Sequence, residues 1–189
     1  GFFYRLFGWT GTDRFELGDQ GGTLQFYSNP TSFVNSGINI RDGKWHYVVA
    51  TYNGNTVSVY LDGNPTPVIN TNVGAITAFP GNFHIGDWGG GASDPRFWDG
   101  CIDEFKVWNT VLSPAQTVDA MQCSADPTYP NLLLHFDFNV GIGGQNNAGL
   151  TMLPPVKGTQ IGMLFTFALN GLSSNWVHRG VSQLPACQV

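Results

Sequence analysis

Charge is scarce in this chain of 189 residues: only 11% are Asp, Glu, Lys or Arg, and eight basic against thirteen acidic residues leave a net charge of −5. Soluble domains ordinarily carry about a quarter, and nucleic-acid binders concentrate basic residues on one face. Nucleic acid is therefore excluded as a partner, and so is a polybasic attachment to a membrane surface. Long apolar runs are missing too. The most apolar stretches, Leu132–Phe136 and Met163–Leu169, are strand-sized and cannot span a bilayer. Cysteine is limited to Cys101, Cys123 and Cys187, too few for a disulfide-stapled miniprotein, and no CxxC pair encodes a zinc knuckle or a thioredoxin-type site. The chain starts at Gly1 without Met, charged leader or signal-type apolar segment, which reads as a processed or excised piece. Disorder is excluded by what is present: 42% hydrophobic and 14% aromatic residues are ample for a packed core.

Glycine is abundant, at 25 residues, and this favours many turns over long helices. Short segments of strand character recur between Gly, Asn, Asp and Pro. They are Phe2–Phe7, Arg14–Leu17, Thr23–Ser28, Trp45–Tyr52, Thr56–Leu61, Asn82–Gly86 and Cys101–Trp108. Asn53-Gly54-Asn55 between two aromatic and β-branched runs is a strong hairpin signal. In the second arm Val57, Val59 and Leu61 share one face, as a half-buried antiparallel strand requires. One helix start is legible at Ser113-Pro114-Ala115-Gln116, with Ser as N-cap, Pro first and Gln three residues after the cap. The helix spans Leu112–Met121 and ends near Cys123, because Asp126-Pro127 blocks continuation. The predicted fold is all-β: an antiparallel β-sandwich of the jelly-roll kind with one short helix.

After Cys123 the texture changes. A polar linker (Ser124–Asn131) leads to a strand over Leu132–Phe138, a Gly/Asn loop over Asn139–Gly149 and a strand over Met163–Leu169, with little pattern beyond. The chain therefore divides into a jelly roll over 1–123 and a β- and loop-rich extension over 124–189.

The run Asp42-Gly43-Lys44-Trp45-His46-Tyr47-Val48-Val49-Ala50-Thr51-Tyr52, followed by Val57–Leu61 and Asp62-Gly63, resembles the laminin-G-like branch of the concanavalin A-like jelly rolls. Phe83-His84-Ile85-Gly86, then Phe97–Asn109 with its Gly100 and Ile102-Asp103-Glu104, and Val111–Pro114 are similar to the I-G … F-x-G-x-I-D-E … W … L-S pattern of laminin-G-like and pentraxin-like domains. The resemblance covers roughly residues 1–121. Such domains begin with strands upstream of the one matched by Phe2–Phe7, including a motif like F-D-G-x-x-D-Y-V. That motif is lacking here, so either the chain is a fragment or the missing strands come from elsewhere. Leu134–Val177 resembles connecting segments before laminin-G-like modules in mosaic bacterial surface proteins, which implies a modular secreted or cell-surface parent. Trp45 and Trp108 read as sandwich core, and the Asp42-Gly43 and Asp62-Gly63 pairs as turn chemistry.

Jelly rolls of this superfamily include glucanases, whose chemistry needs two carboxyl groups flanking one bond. Glu16 and Glu104 are the chain's two glutamates, and neither lies in an E-x-D-x-x-E strand. Asp103 and Glu104 are adjacent, so on a strand they face opposite sides, and Asp103 is expected to tie down a loop by hydrogen bonds. HExxH, GxxxxGK[ST] and GxSxG are absent, and His46, His84, His135 and His178 are scattered over different segments. No catalytic residue is predicted. Cys101 and Cys123 bracket the last strand and the helix, so a disulfide clamping that helix is expected, with free thiols as the alternative and Cys187 left over. The resemblance further implies calcium. Pentraxin-like domains carry metal-binding acids after I-G, which makes Asp87, Asp94 and Asp99 the candidate ligands; the alternative is a glycine-rich surface loop with turn-forming aspartates. Trp88, Trp98 and Trp9 lie in Gly/Asp-rich surroundings and are candidate platforms for stacking on a sugar ring; the alternative is plain loop packing.

The expected function is a non-catalytic recognition or adhesion module of a secreted or surface protein, with a glycan or an extracellular protein as partner. Two alternatives stand beside it: a structural subunit of an extracellular assembly completed by strand exchange, and an accessory module of a carbohydrate-active enzyme. Leu132–Phe138 and Met163–Leu169 are apolar strands without a core of their own. At least one is expected to add to a laminin-G-like sheet, in cis or as a donor to a neighbouring copy; the alternative is that upstream residues were removed and the extension packs loosely.

Overall fold

A computed structural model of the chain describes residues 3–9, 15–29, 32–76, 81–87, 96–122, 127–165, 168–170 and 176. It divides into two compact units, 1–100 with 111–121, and 101–110 with 122–189.

In the first unit β1 (Phe3–Trp9), β2 (Phe15–Gln20), β3 (Thr23–Ser28), β4 (Ser32–Asn39) and β8 (Phe83–Ile85) form a sheet of order β4-β3-β2-β1-β8. A second sheet has the order β5-β6-β7, from Val48–Tyr52, Thr56–Leu61 and Ile69–Asn72. All ladders are antiparallel. Phe15, Leu17, Leu24 and Phe26 of the first sheet and Val57, Val59, Leu61 and Ile69 of the second belong to one buried cluster, which makes the unit a sandwich. The alternation predicted for β6 is the observed one: Val57 and Val59 are wholly buried and Leu61 nearly so. Burial of each such side chain stabilises by about 1.5–3 kcal/mol. The hairpin closes where the sequence placed it. Asn53 Oδ1 accepts the amides of Asn55 and Thr56, and Gly54 takes φ 98°, so Tyr52 pairs with Val57.

The opposite face of β2 is also buried, and it carries charge: Arg5 and Glu16 form an ion pair at 2.5 Å with both side chains out of solvent. Strands β1 and β2 approach so closely that a Cβ at Gly18 would lie 2.1 Å from the Tyr4 carbonyl oxygen. Helix α1 (Pro114–Gln122) starts as predicted. Gln116 Oε1 accepts the Ser113 amide at 2.9 Å and Ser113 Oγ accepts the Gln116 amide at 3.3 Å, a reciprocal capping box.

In the second unit β9 (Phe105–Trp108) pairs with β10 (Leu132–Phe136), placing Lys106 opposite His135 and Phe105 opposite Phe136. The extension strand has thus added, in cis, to a strand from within the segment expected to end at 123. On its other side His135 bridges Lys157. A short ladder joins β11 (Met152–Leu153) to β12 (Gly162–Met163). Two expectations are corrected here. The strand predicted over Cys101–Trp108 begins only at Phe105, because Glu104 takes φ 53°, outside strand geometry. Among the described residues of 163–169 only Met163 is in a strand, and Thr166 and Phe167 lie outside the described residues. Among the described residues no helix is long and apolar enough to cross a membrane.

Candidate functional site

The loop after β4 and the turn after β6 build a hydrogen-bonded polar surface in the first unit. Asp42 closes its own turn by accepting the Lys44 amide at 3.0 Å, and Lys44 Nζ lies 3.5 Å from its other oxygen. Across from it Asp62 takes φ 53°, a conformation that Asp tolerates better than most residues. Asp62 Oδ1 accepts the Tyr47 amide at 2.9 Å, and the Asp62 amide donates back to the Tyr47 carbonyl at 2.8 Å. Between the two carboxylates stands His46, with Nδ1 2.9 Å from Asp62 Oδ2 and Nε2 3.0 Å from Asp42 Oδ1. Burial alone would lower the His46 pKa, but its hydrogen bonds to Asp62 and Asp42 outweigh that and hold it above the ordinary value. The Lys44 amide and His46 together hold Asp42 below the usual carboxylate range.

Trp45, next to His46, is 43% exposed. This corrects the expectation that it belongs to the core: the strand predicted from Trp45 begins at Val48, so the indole stands on the loop, outside the alternating pattern. An aromatic ring on a loop pinned at both flanks, beside two carboxylates, a histidine and an ammonium group, can stack on a sugar face while polar groups take hydroxyls.

The predicted candidates lie elsewhere. Trp9 and Trp98 are half-buried and pack against the core cluster, Trp9 also lying edge-on to Phe83 at 4.5 Å between ring centroids. Trp88 and Asp94 lie outside the described residues. Asp87 and Trp98 are brought together: the Trp98 amide donates to the Gly86 carbonyl at 2.9 Å, and both Asp87 Oδ1 and Trp98 Nε1 are buried without a hydrogen-bond partner. The other Asp87 oxygen lies 3.4 Å from His84 Nδ1. Asp99 is exposed and contributes to the field at Arg41, whose guanidinium is held by the buried Asp19 at 2.9 and 3.0 Å. Among the described residues no three His, Cys, Asp or Glu side chains are grouped to hold a metal ion. Cys101 is exposed and lies ahead of β9 rather than on a strand, and Cys123, its expected disulfide partner, lies outside the described residues.

The second unit holds a charged cluster that the sequence reading missed. Glu104 Oε2 lies 2.8 Å from Lys106 Nζ and 3.0 Å from His135 Nε2, and the Lys106 and His135 side chains are 4% and 0% exposed. Burial would raise the Glu104 pKa, but the bonds from His135 and Lys106 prevail and lower it to about 2. Asp103 Oδ1 accepts the Glu104 amide at 2.9 Å, the loop-tying role expected of it. Burial and the neighbouring Glu104 and Asp137 raise the Asp103 pKa. The sequence signal was the i, i+2 pair Glu104/Lys106. What hid the cluster is that His135 is distant in sequence and arrives only through the β9–β10 register.

A sequence model of the laminin-G type, from the concanavalin A-like lectin/glucanase superfamily, matches residues 3–117. No curated protein and no solved structure matches the chain.

Proposed function

The chain belongs to the laminin-G branch of the concanavalin A-like lectin/glucanase superfamily, and from that premise we propose that it is a non-catalytic recognition module whose binding face is built around Trp45. The observation that carries the reading is the 43% exposure of an indole on a loop fixed by the Asp42–His46–Asp62 hydrogen bonds. A ligand meeting it loses little loop entropy on binding, which is how a preorganised site gains affinity. The ligand class is a glycan outside the cell. The ring supplies the stacking surface, and Asp42, Asp62 and Lys44 supply acceptors and a donor for hydroxyl groups.

General-acid catalysis by Glu104 is disfavoured by its surroundings. A glycosidic acid needs a carboxyl that keeps its proton near neutrality, whereas Glu104 is held ionised, with a pKa near 2. Strand exchange between copies is not needed to pair β9, because β10 already does so within the chain.

The test is a glycan array probed with the purified chain, followed by fluorescence titration of any hit against the wild type and Trp45→Ala. Binding that is lost on removing the ring supports the reading; undiminished binding by Trp45→Ala overturns it.

A further inference from the structure

Both ring nitrogens of His46 face carboxylate oxygens, at 2.9 and 3.0 Å. An ionised carboxylate only accepts, and a neutral imidazole carries a single N–H. The neutral ring can therefore satisfy Asp42 or Asp62 but not both, and the contact left over sets a nitrogen lone pair against a carboxylate lone pair. Only the imidazolium donates to the two sides at once. Among the described residues, the charged groups at His46 are Asp42 from its own loop and Asp62 from the turn after β6, and Lys44 is turned toward Asp42.

We propose that His46 is a proton-operated latch that ties the Trp45 loop to the Asp62 turn when protonated and releases one of the two anchors when neutral. The side on which release occurs follows from the remaining bonds. Asp42 and His46 share one loop, so losing their contact leaves the loop covalently continuous, whereas the Asp62 contact joins two separate segments. Asp62 is also the more exposed of the two carboxylates, at 48% against 31%, so water replaces the lost bond more easily there. Release on that side leaves the Tyr47 amide and carbonyl still tied to Asp62. The raised pKa of the ring agrees with this arrangement. The sign is fixed: a histidine whose pKa is raised by folding stabilises the closed loop fully below its unfolded pKa, and that contribution is lost as the pH rises through the folded value. The latch is thus closed in mildly acidic solution and open in alkaline solution.

The latch stands on this geometry alone; its consequence, that ligand is held more tightly at acidic pH, rests on the Trp45 reading. The experiment is an NMR titration of the full chain from about pH 5 to about pH 9. It follows the His46 ring nitrogens, the protection factor of the Tyr47 amide and the Trp45 indole signal. The expected result is a His46 midpoint above the ordinary ~6.5, with a fall in Tyr47 protection at the same midpoint. Asp62→Asn supplies the decisive control. Asn tolerates the same positive φ, its oxygen can keep the Tyr47 amide, and its Nδ2–H can donate to neutral His46 Nδ1. In that variant the loop should stay protected at alkaline pH and the step in Tyr47 protection should vanish. His46→Gln, which does not titrate, should also lose the step. A His46 midpoint at or below ~6.5, a Tyr47 protection factor flat through the His46 titration, or an Asp62→Asn profile like the wild type's would each overturn the latch. If the titration behaves as stated and Trp45→Ala leaves glycan binding intact, the latch stands and the binding reading falls.

Discussion

Replacing Glu104 by Gln keeps the shape of the side chain and removes the charge between Lys106 and His135. Two routes give the size of the effect. The Glu104 pKa falls from 4.5 to about 2 on folding, which at roughly 1.4 kcal/mol per pKa unit is worth about 3 kcal/mol, and residual solvent screening brings this toward 2 kcal/mol. Leaving a buried partner uncompensated ordinarily costs about 3–5 kcal/mol, and Lys106 is 4% exposed. The expected loss at neutral pH is therefore about 2–4 kcal/mol, seen as a matching drop in the free energy of exchange for the β9 and β10 amides. The pH dependence has a definite sign. A carboxylate with a depressed pKa contributes stability that is complete above its ordinary value of 4.5 and is lost as the pH falls toward 2. The wild type should lose this increment on acidification, and Glu104→Gln, having lost it already, should not. Adding Lys106→Met removes the buried ammonium group that Glu104 balanced and should recover part of the loss. A Glu104→Gln variant within about 0.5 kcal/mol of wild type at neutral pH would refute the reasoning.

Gly18→Ala sets a methyl group against the Tyr4 carbonyl, at 2.1 Å in the unrelaxed geometry. Backbone atoms of two paired strands would have to shift, and thermal melting should show a loss of about 1–3 kcal/mol. Cys101, exposed and free, should take up a maleimide in the folded protein without reduction, as intact-mass spectrometry would show. Deleting 124–189 removes β10 and leaves Leu132's and Phe136's partners on β9 without cover; exchange protection of the Phe105–Trp108 amides should vanish while that of β6 persists.

What could be read in the sequence was what depends on near neighbours. The β5–β6 hairpin, its Asn-Gly turn and the burial of Val57, Val59 and Leu61 are set by period-two alternation and by local turn chemistry. The Ser113 capping box likewise needs only four consecutive residues. Strands β4 and β7 escaped notice because Ser32–Asn39 and Ile69–Asn72 are polar and are recruited by the ladders beside them rather than by their own pattern. Trp45 was misplaced for a related reason. It continues the aromatic run into β5, but the loop that sets the position of His46 ends just before the strand, so apolar character and burial part company there. The Glu104–Lys106–His135 cluster depends on a strand register spanning 31 residues, and no local motif encodes that. Asp42 and Asp62 were legible as turn residues, whereas their shared grip on His46 required the two turns to be seen side by side.

The central claim is that ligand is recognised at the Trp45 face. The most direct measurement is chemical-shift mapping of the isotopically labelled chain with a glycan taken from the array. Shifts concentrated at 42–47 and 62–64, with the Trp45 indole moving most, are the predicted result. Shifts confined to 84–87 and 96–100, with the Trp45 indole unmoved, would contradict it.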